Sequence, residues 1–234
     1  VVLSLVGGFS IGDQDKLIDA AIAAGVQRFI PSEYGSNTAD ARARAIVPHF
    51  GGKYGATQYL KSKEDQISWT SVITGPFFDW CLEKGILGLN YADKTATVYD
   101  NGTATFSTTN LHTVALALVR VLEKHDESKN RYVYLSGFQT TQKQILEAAE
   151  KVTGEKWTVN HKAANELVED GNAKIKTGDY SGVLVLIQAI TFGAKDELGN
   201  FESEGLWNER LELPKDDLEK SVRAVFDGKL GHEL

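Results

Sequence analysis

Apolar residues fill positions 1–6 (VVLSLV) without alternation, and Gly7-Gly8 closes the run. An unbroken apolar run predicts a parallel strand buried on both faces. Leu17, Ala20, Ala21 and Ala24 then recur at helical spacing, with Asp13 placed to cap the helix and Gly25 to end it. Residues 26–30 form the next apolar strand. Strand, helix and strand within about thirty residues make a βαβ unit, which crosses over right-handed.

Residues 31–52 hold Pro31, Pro48 and the pair Gly51-Gly52, and predict a long irregular segment. Loops of this kind inside a domain are often functional. A helix is expected over 53–65 and a strand over 68–74 (SWTSVIT), closed by Gly75-Pro76-Phe77-Phe78. Residues 95–99 and 103–107 flank Asp100-Asn101-Gly102, and Asn-Gly suits the positive φ of a tight turn, so a hairpin is expected. Asn101-Gly102-Thr103 also matches a glycosylation acceptor; the turn reading takes precedence. A helix over 110–123, a strand over 131–135 and a helix over 141–152 follow. That last helix carries Ile145, Leu146, Ala149 and Val152 on one side and ends near Gly154. After a short strand over 157–160, helices dominate: 163–173, 181–191 and 215–226, with Pro214 placed for a first turn. Alternation first and helices later predict an α/β nucleotide-type parallel sheet carrying a smaller lobe.

Composition narrows the function. The chain has 234 residues, enough for one large core or one and a half ordinary ones. Apolar residues are 42% and charged residues 24%, the balance of a soluble globular protein. A net charge of −7 argues against a nucleic-acid partner, which needs a basic face. The longest apolar run, 182–189, is too short for a membrane span. A single cysteine, Cys81, leaves no internal disulfide and suits a reducing compartment, so a cytoplasmic location is expected. Methionine is absent, position 1 included.

Open α/β sheets bind ligands beyond the carboxyl ends of their strands. Three such ends are Gly7-Gly8-Phe9, Pro31-Ser32-Glu33-Tyr34 and Gly75-Pro76-Phe77-Phe78. All three rise on one edge and together offer the wall of a cofactor cleft; each alone could simply end a strand. Lys53 follows two glycines where the long loop enters a helix. Its ammonium is either solvated or placed to stabilise negative charge and move a proton. Tyr59 and Lys63 share the Tyr-x-x-x-Lys spacing of short-chain reductases, but Lys63 lies too close to the strand at Ser68. Four residues before Lys53 stands His49, not tyrosine. His112, His125, His161 and His232 show no ligand spacing, so no metal site is expected. Ser32-Glu33 lacks a nearby histidine for a hydrolase, and Glu33 is expected to bond backbone groups of its loop. Trp69 and Trp157 read as packing residues. Phe77 and Phe78 read as the floor of a nicotinamide or aromatic pocket, or as ordinary packing.

Several stretches are familiar together: VVLSLVGG, KLIDAAIAAGVQRFIPSEYG, Lys53 after a proline-bearing loop, SWTSVITGPFFDW, NGTATFSTTN, NRYVYLSGFQTT and TGEKWTV. Over nearly its whole length the chain resembles the isoflavone-reductase-like branch of the NmrA-like family, in its fungal form. The Pro-Ser-Glu-Tyr-Gly loop is the most specific element. The resemblance implies an atypical short-chain reductase with an NADPH-binding Rossmann domain and a smaller C-terminal α/β lobe. By it, residues 1–80 are Rossmann, and 81–234 are mainly the substrate lobe, with 108–136 returning to the sheet. Lys53 matches the catalytic lysine, and His49 takes the place of the usual tyrosine. Gly7, Gly8, Phe9, Pro31, Ser32, Lys53, Gly75, Pro76 and Phe77 match the cofactor wall, and Phe78 the substrate side.

The family's Gly-x-x-Gly-x-x-Gly turn and its 2′-phosphate-selecting residue are not in this sequence. The reading is therefore of a domain entered partway through, with weak or no NADPH binding and an exposed sheet edge. Two functions stay open. One is an NADPH-dependent reductase of a small aromatic, isoflavone- or phenylpropanoid-like molecule. The other is a dinucleotide-sensing regulator without catalysis.

Overall fold

The computed structural model describes residues 1–193 and 197–230. The chain begins with β1 (Val2–Leu3), a 3₁₀ turn over Gly8–Asp13, α1 (Gln14–Ala23), β2 (Arg28–Ile30), α2 (Ala41–Ile46), α3 (Phe50–Lys61) and β3 (Ser68–Ile73). It continues through α4 (Phe78–Glu83), β4 (Leu89–Asn90), β5 (Thr95–Tyr99), β6 (Phe106–Thr108) and α5 (Leu111–Glu123). Then come β7 (Arg131–Tyr134), β8 (Phe138–Thr140), α6 (Gln142–Thr153), β9 (Thr158–Lys162), α7 (Glu166–Lys176), α8 (Ser181–Phe192) and α9 (Leu218–Phe226). His232 lies outside the described residues. Among the described residues no helix is long and apolar enough to cross a membrane.

The expected sheet forms. Its order is β1-β2-β3-β7 and every pairing is parallel. β3 is buried along its whole length, as a central parallel strand should be. Alternate side chains enter two cores. Phe29 and Trp69 pack with Ile18, Ala56 and Leu60 of α1 and α3. Ile30, Val72 and Val133 pack on the other face with Ala117 and Val121 of α5, joined by Trp207 and Leu211. A further core joins α4, β4, β5, α6 and α9 around Phe78, Leu89, Val98, Ile145 and Val222.

Several expectations need correction. β1 is not buried on both faces: it pairs only with β2 among the described strands, and Val1 and Leu5 are 64% and 70% exposed. The buried stripe of α1 is Ile18, Ala21 and partly buried Ile22, with Leu17, Ala20 and Ala24 in solvent. The larger Ile pair sets the helix's rotation. Asp13 does not cap α1; it pairs with Lys16 at 3.0 Å. The segment 31–52 is not wholly irregular, since α2 lies inside it and α3 begins at Phe50 rather than Lys53. α2 is capped by Asp40, whose carboxylate accepts from the Arg42 amide. The last helix begins at Leu218, capped by the Asp217 side chain, so Pro214 precedes it instead of starting it.

The hairpin also fails. β5 pairs with β4 antiparallel and β9 parallel, while β6 pairs with β8 in a separate two-stranded sheet. The turn itself forms, with Asp100 and Gly102 at φ 50° and 65°. Its polar groups, however, belong to other elements. The Asp100 carboxylate accepts from the Ala164 amide at 3.0 Å, and the Gly102 carbonyl accepts from the Lys143 amide at 3.0 Å. The chain leaves this turn toward the second sheet rather than folding back.

Inside the apolar-looking β2 sits Arg28, wholly buried. Its guanidinium donates to Ser68 Oγ (2.7 Å), Thr70 Oγ1 (2.8 Å), Ser128 Oγ (3.2 Å) and the His125 carbonyl (2.7 Å). Planar donors in a fixed fork satisfy four acceptors from two chain segments, β3 and the link between α5 and β7. Burial pulls its pKa down, and Asp126 opposes this.

Candidate active site

Because the sheet is parallel, the ends of β1, β2 and β3 open on one edge. Hydrogen bonds lock the three loops together there. Ser32 Oγ donates to the Val6 carbonyl at 3.0 Å, and the Ser32 amide donates to Gln14 Oε1 at 2.8 Å. The Thr74 and Gly75 amides both donate to the Gly35 carbonyl, at 3.2 and 2.9 Å. Gly75 has φ +67°, and a Cβ there would lie 2.0 Å from the Ser107 carbonyl oxygen. Only glycine fits that position. Gly7 and Gly8 are exposed, and a Cβ on either would touch nothing.

Lys53 stands in the first turn of α3. That turn lies close to the 3₁₀ segment: a Cβ at Gly52 would be 3.1 Å from Ile11 and 3.5 Å from Gly12. The Lys53 side chain is half-buried, and its Nζ donates to the Glu33 main-chain carbonyl. Burial pushes the lysine's pKa down, and the neighbouring Glu33 pushes it back up.

Glu33 has no exposed surface. Its carboxyl does not bond backbone groups, as the sequence led us to expect. It accepts from Thr38 Oγ1 at 2.9 Å and Thr57 Oγ1 at 3.1 Å, and Thr57 is in turn 3.0 Å from Ser71 Oγ on β3. Burial pushes the Glu33 pKa up, while Lys53 and the two threonines pull it down.

Lys53 borders a cavity of about 190 Å³. Gly75, Pro76 and Phe77 form one wall, Trp80 and Cys81 of α4 another, and Ile187, Gln188 and Phe192 of α8 close the far side. The lining is largely apolar. Gln188 donates to the Ile86 carbonyl at 2.6 Å. Burial pushes the Cys81 thiol up to about 12, so it stays neutral and a poor nucleophile.

Four predicted site residues therefore meet at one cavity: Lys53, Gly75, Pro76 and Phe77. Pro31 and Ser32 lie on the same sheet edge but are buried beneath it, and Gly7 and Gly8 lie at its outer end. The side chain of Phe9 lies outside the described residues. Phe78 is a correction: it is wholly buried in the core shared by α4, β5, α6 and α9, its ring 4.8 Å from that of Phe138, and it does not line the cavity. Phe77 begins a helix there, so the next side chain turns inward.

His49 is exposed one turn before Lys53, its ring edge-on to Tyr180 at 6.3 Å, away from the cavity lining. Tyr59 donates to Asp19 at 2.6 Å on the outer side of α3, with Lys63 beyond the helix end over its ring. That pair is no catalytic dyad. Among the described residues no group of three His, Cys, Asp or Glu side chains can hold a metal. Sequence reasoning missed the α8 wall. The signal was legible in the apolar run at 182–189, whose Gln188 interrupts it, but nothing in the chain said which end faced a cavity.

The NmrA-like family pattern matches residues 1–176. Oxidoreductase aprR of Aspergillus flavus is 32% identical over 232 residues, covering 97% of this chain and 77% of the relative. Among solved structures, AtPrR2 with NADP+ and (+)pinoresinol superposes with a TM-score of 0.76 at 19% identity, over 96% of this chain and 74% of that one. An isoflavone reductase superposes at 0.73 and 18%, over 94% and 73%. At these identities the structural likeness is one of fold.

Proposed function

The chain belongs to the NmrA-like family, and from that premise we propose that it is an NADPH-dependent oxidoreductase of a small aromatic substrate, with Lys53 as its catalytic residue. The aprR relative is named an oxidoreductase, and AtPrR2 was solved with NADP+ and pinoresinol. One observation carries the reading to this chain: a lysine ammonium, tethered to the Glu33 carbonyl, borders a largely apolar cavity at the open edge of the sheet.

The residues present fit the nicotinamide end of such a cofactor. Pro76 and Phe77 offer a flat apolar wall, Gly35 keeps the space beside Lys53 Nζ free of a side chain, and the lysine supplies a donor. When bound, the nucleotide supplies hydride. The chain does the rest. The apolar walls hold an aromatic body and exclude water, which strengthens each remaining electrostatic contact. Lys53 Nζ stabilises negative charge on a substrate oxygen or delivers a proton to it. Its lowered pKa makes that proton easier to release than an exposed lysine's. Neutral Cys81 and outward-facing His49 stay out of the chemistry.

The test is NADPH oxidation by the natural protein over a panel of phenolic and carbonyl aromatics. Lys53→Ala should lower kcat by about 100-fold or more, a general-acid-sized loss, while the NADPH Kd stays within about threefold. Unchanged turnover in the variant removes the mechanism. Tight NADPH binding by the wild-type protein with no turnover over the whole panel would favour the sensing role instead.

A further inference from the structure

Helix α3 grips Glu33 twice. Lys53 Nζ holds its main-chain oxygen, and Thr57, four residues on and so on the same helix face, holds its carboxyl at 3.1 Å. Thr38 closes the other side of the carboxyl at 2.9 Å, and Thr57 also meets Ser71 of β3 at 3.0 Å. A wholly buried carboxyl beside a lysine, ringed by hydroxyls and with no arginine bonded to it, is costly to keep unless the charge has a task. We infer that Glu33 is a positioning residue for Lys53: its main-chain carbonyl fixes where the ammonium sits, and its carboxyl, held in place by Thr38 and Thr57, is the acidic group set against that ammonium. The inference rests on Lys53 being the reacting group.

The surroundings leave Glu33 to set the lysine's charge. Around the pair stand Tyr34 from the same loop, Tyr132 and Tyr134 from β7, Cys81 from α4, and Arg44 of α2. Burial drives the three tyrosines and the thiol upward, so all stay neutral. Arg44 is turned to the Thr38 carbonyl at 2.5 Å and the face of Tyr54. The Asp19 carboxylate is held by Tyr59 at the far end of α3, and the α8 wall brings Gln188 and apolar groups. Among the described residues, Glu33 is the charge that acts on Lys53, and it opposes the effect of burial.

The experiment needs neither substrate nor turnover. Trace acetylation of the folded protein with acetic anhydride, read by mass spectrometry of the Lys53 peptide against pH, reports the protonation of that amine. In Glu33→Gln the carboxamide keeps the shape and loses the charge. Lys53 should titrate at lower pH than in wild type, and its labelling near neutrality should rise several-fold. Thr57→Val should shift it the same way by removing one hydroxyl from the carboxyl, and Thr57→Ser should restore the wild-type curve. These two variants decide the matter if Glu33→Gln does not fold. Identical Lys53 curves in wild type, Thr57→Val and any folded Glu33→Gln would overturn the inference. Failure of the catalytic reading shows separately, as unchanged turnover in Lys53→Ala.

Discussion

Single residues carry the sharpest constraints. Gly75 combines a positive φ with a main-chain contact that no side chain can share. Gly75→Ala should cost about 2 kcal/mol or more, since both strain and a backbone clash oppose it; urea denaturation measures it. Gly7→Ala, with open space around it, should be close to neutral in the same assay. Buried Arg28 is a second such point. Arg28→Ala removes four hydrogen bonds and leaves a cavity, and should lower unfolding free energy by about 3 kcal/mol or more. The importance of Gly75 was visible in the sequence because Gly-Pro after an apolar run marks a strand end. That of Arg28 was not. A charged residue within a five-residue apolar segment has no local signature, and its acceptors lie 40 to 100 residues away. Lys53 was singled out by the two glycines before it and by the family resemblance, but the carboxyl beside it was not assigned its partners, because Thr38 and Thr57 meet it only in the fold.

Elements were legible where their signals were local. α6 is the clearest case. Thr141 and Gln144 form a full capping box, and Gly154 ends the helix at φ 72°, as the residue types predict. Signals that depended on a partner element misled. Asp100-Asn101-Gly102 does turn, yet the strands it joins enter different sheets because α6 and the β9–α7 link claim the turn's polar groups. Pro214 looked like a helix start, and Asp217 holds the start instead. The segment ahead of α9 has a pH-sensitive anchor. Asp216 accepts from Thr113 Oγ1 of α5 at 3.1 and 3.0 Å, and burial raises its pKa above the ordinary 3.8. The folded state therefore holds this proton more tightly than the unfolded chain. Its stabilising contribution is complete below pH 3.8 and is lost as pH rises through the folded pKa. Asp216→Asn, which cannot ionise, should gain on wild type across that rise. Urea titrations below and above the window check the sign, and a constant difference would show that Asp216 is not perturbed.

At the scale of the molecule, the fold brings α3, the continuous β3 loop and α4, and the distant α8 to one cavity. α3 contributes the lysine, the β3 loop a flat wall, α4 an aromatic rim, and α8 the closing side. The parallel sheet was readable from the alternation of strands and helices. The seat of the cavity was only half readable, since its α8 wall comes from the lobe and depends on how the lobe packs. The central claim is that Lys53 meets a reduced nucleotide at this place. The most direct measurement is a crystal structure of the natural protein soaked with NADPH. The account predicts the nicotinamide ring against Pro76 and Phe77, with Lys53 Nζ within hydrogen-bond reach of its ribose or of a bound substrate oxygen. A ring bound elsewhere, with that nitrogen turned into bulk water, would contradict it.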